Sequence, residues 1–163
     1  MLSEGDSAPD FDLPCARGGN IRLSELRDYF IVLYFYPKDD TAGCTKEAIN
    51  FTELKSEFEE LDAKIIGVSP DTIKSHAKFL EKHALGIILL SDSEKSSIEA
   101  YGVWAEKMMY GKSYMGVVRS TFLIAPNGKI LQVWRNVKIP GHAASVLEAL
   151  KEHRQRMKLS QNL

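Results

Sequence analysis

The chain has 163 residues, 44% of them hydrophobic and 26% charged, with a formal charge of −1. That length suits one domain, residues 1–163, large enough to bury roughly 68–70% of its unfolded surface without a disulfide or metal. Near-neutrality removes the electrostatic reason to expect nucleic acid or an anionic membrane as a partner. The start, MLSEGDSAPDF, has no basic segment followed by an apolar one, so no secretory leader is expected. The longest apolar run, FIVLYFYP, is too short to span a bilayer. Two cysteines make no disulfide framework, and the cytoplasm is the expected compartment.

In chain order, Pro9, Pro14, Gly18, Gly19 and Asn20 punctuate two short strands at 11–13 and 20–22, an N-terminal β-hairpin. Ser24 is placed to cap a brief helix through Arg27. Residues 30–36 form a near-continuous apolar run of β-branched and aromatic side chains, the pattern of a strand buried on both faces. From Cys44 to about Leu61, Phe51, Leu54, Phe58 and Leu61 recur at helical spacing. A second buried strand follows at 63–69, and Ile73, Ala77, Leu80 and Ala84 then mark an amphipathic helix. Residues 87–90 read as a third strand and 93–101 as a short helix. Strands at 117–125 and 129–135 flank Pro126-Asn127-Gly128, a hairpin signal. Ala143, Val146, Leu147 and Leu150 share one face of a last helix, beyond which about 152–163 is polar and expected to fray. This order predicts an α/β protein with a mixed central sheet and helices on both faces, as in a thioredoxin-like fold.

Cys44 falls where a parallel-type strand has ended and a helix begins, the place where open α/β sheets gather their functional groups. The unpaired N–H groups of a first helical turn favour a thiolate over a thiol. A cysteine can equally be a small buried hydrophobe, but the polar, loop-like run Asp39-Asp40-Thr41-Ala42-Gly43 argues against filler here. Thr41, three residues earlier, can put its hydroxyl near the sulfur, cap the helix, or do both. Glu47, three residues later, shares the helical face of Cys44. It suits a carboxylate that holds a cation in place, or one that is merely at the surface. In VVRSTFLIA, Arg119 interrupts an otherwise core-like strand, so it must pair with an acid or face a cleft.

The segment PKDDTAGC fits Pro-x-x-x-Thr-x-x-Cys, and YFYPKDDTAGCTKEA resembles the active-site loop of the peroxiredoxins, within them the Q-type or bacterioferritin-comigratory group. The likeness extends to GDSAPDFDLP, to YGVWAEKMMYGKSYMGVVRSTFLIAPNGKI and to WRNVKIPGHAASVLEAL. The resemblance implies a thiol-dependent peroxidase acting on hydrogen peroxide and organic hydroperoxides, in antioxidant defence and cell redox homeostasis. Cys44 then corresponds to the peroxidatic cysteine that becomes a sulfenic acid, and Thr41 to the residue that orients the peroxide. Arg119 corresponds to the arginine that stabilises the thiolate and polarises the O–O bond, Pro37 to the shielding proline and Glu47 to a supporting carboxylate. The resemblance implies no metal, haem or flavin, and a monomer is preferred.

Many relatives of this group carry a resolving cysteine five residues after the first, where this chain has Ile49. Three routes stay open: direct reduction of a one-cysteine enzyme by an external thiol, resolution by Cys15, or a mixed disulfide with a partner such as thioredoxin. Glutaredoxin or glutathione would also serve as the thiol. The one-cysteine route is preferred, with Cys15, in the turn of the N-terminal hairpin, read as an incidental exposed thiol. The opposing class of function is a non-catalytic thioredoxin-fold redox sensor or chaperone. His76 and His83, seven apart, are expected at the surface, as is His142 unless it caps the last helix. Trp104, Met108, Met109, Tyr110 and Tyr114 read as core, with an apolar approach for organic hydroperoxides as the alternative.

Overall fold

Six consecutive apolar residues, all buried, form the central strand of the protein, Phe30–Phe35. In the computed structural model, which describes residues 1–161, this strand is β3. It follows the hairpin of β1 (Asp12–Pro14) and β2 (Asn20–Arg22), and a 3-10 turn at Leu23–Glu25. Next come α1 (Ala42–Glu53), α2 (Lys55–Glu60), β4 (Ala63–Ser69), α3 (Ile73–Lys82), β5 (Ile88–Ser91) and α4 (Ser96–Ala100). The chain ends with β6 (Trp104–Met109), β7 (Lys112–Val117), β8 (Ser120–Ile124), β9 (Ile130–Trp134) and α5 (His142–Gln161). The five-stranded sheet runs β5-β4-β3-β8-β9, with β3, β4 and β5 parallel and β8 and β9 antiparallel. This is the mixed, thioredoxin-like sheet that the element order predicts.

Strand pleating sends alternate side chains to opposite faces, and β3 divides the interior accordingly. Phe30, Val32, Tyr34 and Tyr36 pack with residues of α1, α2, α3 and α5, among them Cys44, Phe51, Phe58, Phe79 and Val146. Ile31, Leu33 and Phe35 pack in a second core with Phe11, Leu13, Cys15, Leu23 and Ile98, from the N-terminal segment and α4. Cys15 and Cys44 therefore belong to cores on opposite faces of the sheet, and both are free thiols. Cys15 is also buried, not exposed as expected. Its backbone bridges Leu90 of β5, and Ala16 N donates to Leu89 O, which draws the hairpin turn onto the sheet.

Four further departures have physical causes. The long helix predicted from Cys44 breaks at Leu54. There the Thr52 hydroxyl donates back to Ala48 O and accepts from Gly86 N, a competition with the helix ladder that bends helices. In α3 the buried residues are His76, Phe79 and Leu80, while Ile73, Ala77 and Ala84 are exposed. A histidine can turn inward because the interior supplies its hydrogen bonds. Of the aromatic, methionine-rich segment only Trp104 packs against the core; the rest forms the β6–β7 hairpin, turned at Tyr110 and Gly111 with positive φ, and exposes Met108, Met109, Tyr110, Tyr114 and Met115. The last helix continues through Gln161, held where fraying was expected by Arg154 against Asp62, His153 against Gln132 and Met157 against the core. Residues 162–163 of that expectation lie outside the described residues. No helix among the described residues is long and apolar enough to cross a membrane.

Gly67 in β4 shows how tightly this frame is packed. A Cβ there would lie 2.8 Å from the Tyr34 ring and 2.9 Å from Leu89 Cδ2, both buried. Gly67→Ala is therefore expected to cost about 1–3 kcal/mol by overpacking, read as a lower urea midpoint with unchanged m-value. An unaltered midpoint would contradict this packing.

Candidate active site

Parallel strand β3 ends at Phe35, and the next six residues turn the chain into α1. Thr41 is the N-cap residue, extended at φ −82° and ψ 155°. Its hydroxyl does not cap the helix but donates to Lys38 O at 2.9 Å, bracing the loop on itself. The first turn of α1 thus has no side-chain cap, and its N–H groups stay available to negative charge. Cys44 lies in that turn with 2% of its surface exposed. Pro37 is half-buried at the strand end, and Thr41 is exposed.

The structure brings Arg119 to this turn from the far side of the sequence. The strand expected over 117–125 is interrupted, β7 stopping at Val117 and β8 starting at Ser120, so Arg119 sits in the gap and not in a ladder. Its guanidinium forks: Nη2 donates to Cys44 Sγ at 3.2 Å and Nη1 to Glu47 Oε1 at 2.6 Å. The Arg119 and Glu47 side chains are 16% and 2% exposed. Burial works to lower the Arg119 pKa, but the facing Glu47 and Cys44 outweigh it and hold the guanidinium charged. Burial drives the Glu47 carboxyl up to about 7 against the pull of Arg119. One reason is visible in its second oxygen, Oε2, which is buried without a hydrogen-bond donor among the described residues. The Tyr34 hydroxyl is buried unpaired as well, with Glu47 the foremost charge acting on it.

Several groups at the site carry no signal in the sequence that singles them out. A Cβ on Gly43 would lie 3.0 Å from Ile139 Cδ1 and 3.4 Å from Arg119 Nη2, so glycine there lets the arginine and an apolar wall close in. That wall belongs to the loop between β9 and α5, tied on by Val137 N donating to Arg119 O. His142, at the start of α5, is buried and not at the surface; its Nε2 lies 2.8 Å from Thr121 Oγ1. Burial, with the nearby Arg119 charge, pulls its pKa down to about 4, so it is neutral at pH 7. Lys107 in β6 donates to Val117 O at 2.7 Å, and burial together with Arg119 lowers its pKa.

Cys44, Glu47 and Arg119 are thus in contact, with Thr41 and Pro37 on the adjoining loop and Cys15 apart on the other sheet face. A sulfur beside a fixed cation and an uncapped helix start is suited to nucleophilic attack, with donors aimed at developing negative charge.

Comparison with known proteins agrees with that chemistry. The model of the AhpC/TSA family matches residues 5–133. Peroxiredoxin Bcp of Bacillus subtilis is 49% identical over 148 residues, covering 91% of this chain and 94% of the relative. A solved structure of the Xanthomonas campestris bacterioferritin comigratory protein, studied for alkyl peroxide reduction, superposes with a TM-score of 0.84. It is 44% identical, covering 88% of this chain and 92% of that one. A yeast mitochondrial 1-Cys peroxiredoxin, studied for thiol resolution through glutathione and thioredoxin systems, is 26% identical with a TM-score of 0.83. It covers 97% of this chain and 79% of that one.

The raised Glu47 pKa makes a stability prediction. With about 7 in the folded protein against 4.5 for the free side chain, the folded state holds the proton more tightly between those values. The stabilisation is full below about pH 4.5 and lost as pH rises through about 7. Glu47→Gln removes that loss, so its stability relative to the native chain should improve by up to roughly 3 kcal/mol from about pH 5 to about pH 8. Denaturant curves at the two pH values measure this; parallel pH dependence in the two proteins would contradict it.

Proposed function

The chain belongs to the AhpC/TSA family, and from that membership we propose that it reduces hydrogen peroxide and organic hydroperoxides with Cys44 as the nucleophile. The observation that carries the proposal is the forked Arg119, one nitrogen on Cys44 Sγ and the other on Glu47. The Cys44 thiolate attacks the distal peroxide oxygen, forming an S–O bond and breaking O–O. The sulfur becomes a sulfenic acid, and the departing alkoxide takes up a proton to leave as alcohol, or as water when the substrate is hydrogen peroxide. Arg119 and the first-turn N–H groups of α1 face the charge that moves from sulfur to the leaving oxygen. The exposed Thr41 hydroxyl orients the incoming peroxide, Pro37 shields the sulfur, and Glu47 fixes the plane of the guanidinium.

An external thiol then attacks the sulfenic sulfur, releasing water and leaving a mixed disulfide that a second thiol reduces. Two observations favour this one-cysteine route. Ile49 occupies the helix position where a resolving thiol is common in similar proteins, and Cys15 is buried in the opposite core. The likeness to a one-cysteine relative that uses glutathione and thioredoxin supports the same choice of reductant class. Such thiols are abundant in the cytoplasm, the compartment proposed for this protein.

With a thiol reductant present, Cys44→Ser is expected to abolish peroxide consumption, and Arg119→Met to lower its rate by about 10²–10³. Equal consumption by Cys44→Ser would refute the proposal. Cys15→Ser is expected to turn over peroxide like the native chain; loss of turnover with a retained Cys44 sulfenic acid would make Cys15 the resolving group.

A further inference from the structure

The loop that presents Thr41 and Cys44 is held from outside by a buried ion-pair network for which the peroxide chemistry has no direct use. Asp39, two residues after Pro37, gathers three hydrogen bonds on its carboxylate: Tyr36 hydroxyl at 2.6 Å, His76 Nδ1 at 2.7 Å and Ser75 hydroxyl at 2.8 Å. Its backbone N–H donates to Asp71 Oδ2, which is itself held by the Ser69 hydroxyl. His76 is 0% exposed, and its second nitrogen, Nε2, lies 2.9 Å from Leu90 O. A carbonyl oxygen only accepts, so Nε2 bears a proton. Nδ1 meets a carboxylate oxygen, so a further proton lies between His76 and Asp39 whichever of them bears it. The titratable groups facing the ring are Asp39 from the loop, Asp71 from the turn before α3 and Tyr36 from the end of β3. Burial works to raise the Asp39 pKa, and His76 and Tyr36 more than reverse it.

We propose that Asp39 and His76 are positioning residues for the peroxidase reaction, fixing the loop from α3 so that Thr41 and Cys44 meet the peroxide in register. The inference rests on the peroxidase reading above. The donor and acceptor atoms of the network are committed to one another, which suits a structural clamp better than a metal site. Asp40, next in the chain, adds a second grip on α3 through Lys82 at 2.6 Å and His83 at 2.8 Å. That grip is exposed and correspondingly weak. The buried pair is the stronger, because either partner left alone is an uncompensated polar group in the interior.

The test uses the purified full chain, with His76→Phe, Asp39→Asn and the double variant. Two rates are measured: oxidation of Cys44 by hydrogen peroxide in a single turnover, and its alkylation by a bulky maleimide, with Cys15→Ser as background. Each single variant should slow oxidation by roughly 10–100-fold, the scale of a misplacement remote from the chemistry. Alkylation should quicken, since the loop no longer closes over the sulfur. The double variant should be no worse than either single one, as for groups acting as a pair. Tyr36→Phe, which removes one donor from the network, should shift both rates in the same directions by a smaller factor if the others fail to fold. Unchanged rates in a folded variant, or independent multiplicative losses in the double variant, would overturn the inference. A native chain that ignores peroxide would instead sink the peroxidase reading, and the alkylation rates would still report on the clamp.

Discussion

The site depends on one guanidinium. Arg119 is mostly withdrawn from water, yet it must remain charged to hold Cys44 and Glu47 together. A buried charge is tolerable only when paired and hydrogen-bonded, and the surroundings are arranged accordingly. The short link from the β6–β7 hairpin into β8 of the central sheet, residues 118–119, leaves the side chain free of either ladder. Gly43 yields the space beside the sulfur, and the backbone of Arg119 is pinned by Val137 from the loop that brings Ile139 over Gly43. Compensation is incomplete, since Glu47 Oε2 finds no donor among the described residues. That unsatisfied oxygen is a stability cost concentrated where the chemistry is, as functional sites commonly show.

Fold and site are joined at the carboxyl end of β3. The strand is buried on both faces and paired on both edges, by β4 and β8, so its end is a rigid mount. The loop beyond it is gripped by α3 through Asp39 and Asp40, and α1 is packed through Ala48 and Phe51 against the core. Three remote segments, residues 37–47, Arg119 and the loop before α5, thus converge on one sulfur. Cys44 is 2% exposed, so a thiol much larger than a peroxide reaches its sulfur only if the loop yields.

Much of this was legible in the chain. Parallel strands announced themselves as unbroken apolar runs, because burial on both faces leaves no place for polar residues. Arg119 stood out for the converse reason, a charge in a core-like strand. The hairpin of β6 and β7 went unread because its methionines and tyrosines look like core by composition, and only their exposure in the fold shows that they face outward. His76 and His142 were misplaced for a related cause. Whether a histidine is buried turns on partners such as Asp39 and Thr121, close in space but 37 and 21 residues away along the chain. Cys15 was likewise drawn inward by a backbone bridge to Leu90 that no side-chain pattern encodes.

In the proposed reaction peroxide attacks Cys44 Sγ, and no cysteine of the same chain completes the cycle. Mass spectrometry of the intact, unreduced protein after one equivalent of hydrogen peroxide, with fragmentation to locate the change, tests it most directly. The expected result is the gain of a single oxygen atom at Cys44, with Cys15 still a free thiol. Oxygen found at Cys15, an unmodified Cys44, or the loss of two hydrogens that marks a Cys15–Cys44 disulfide would contradict it.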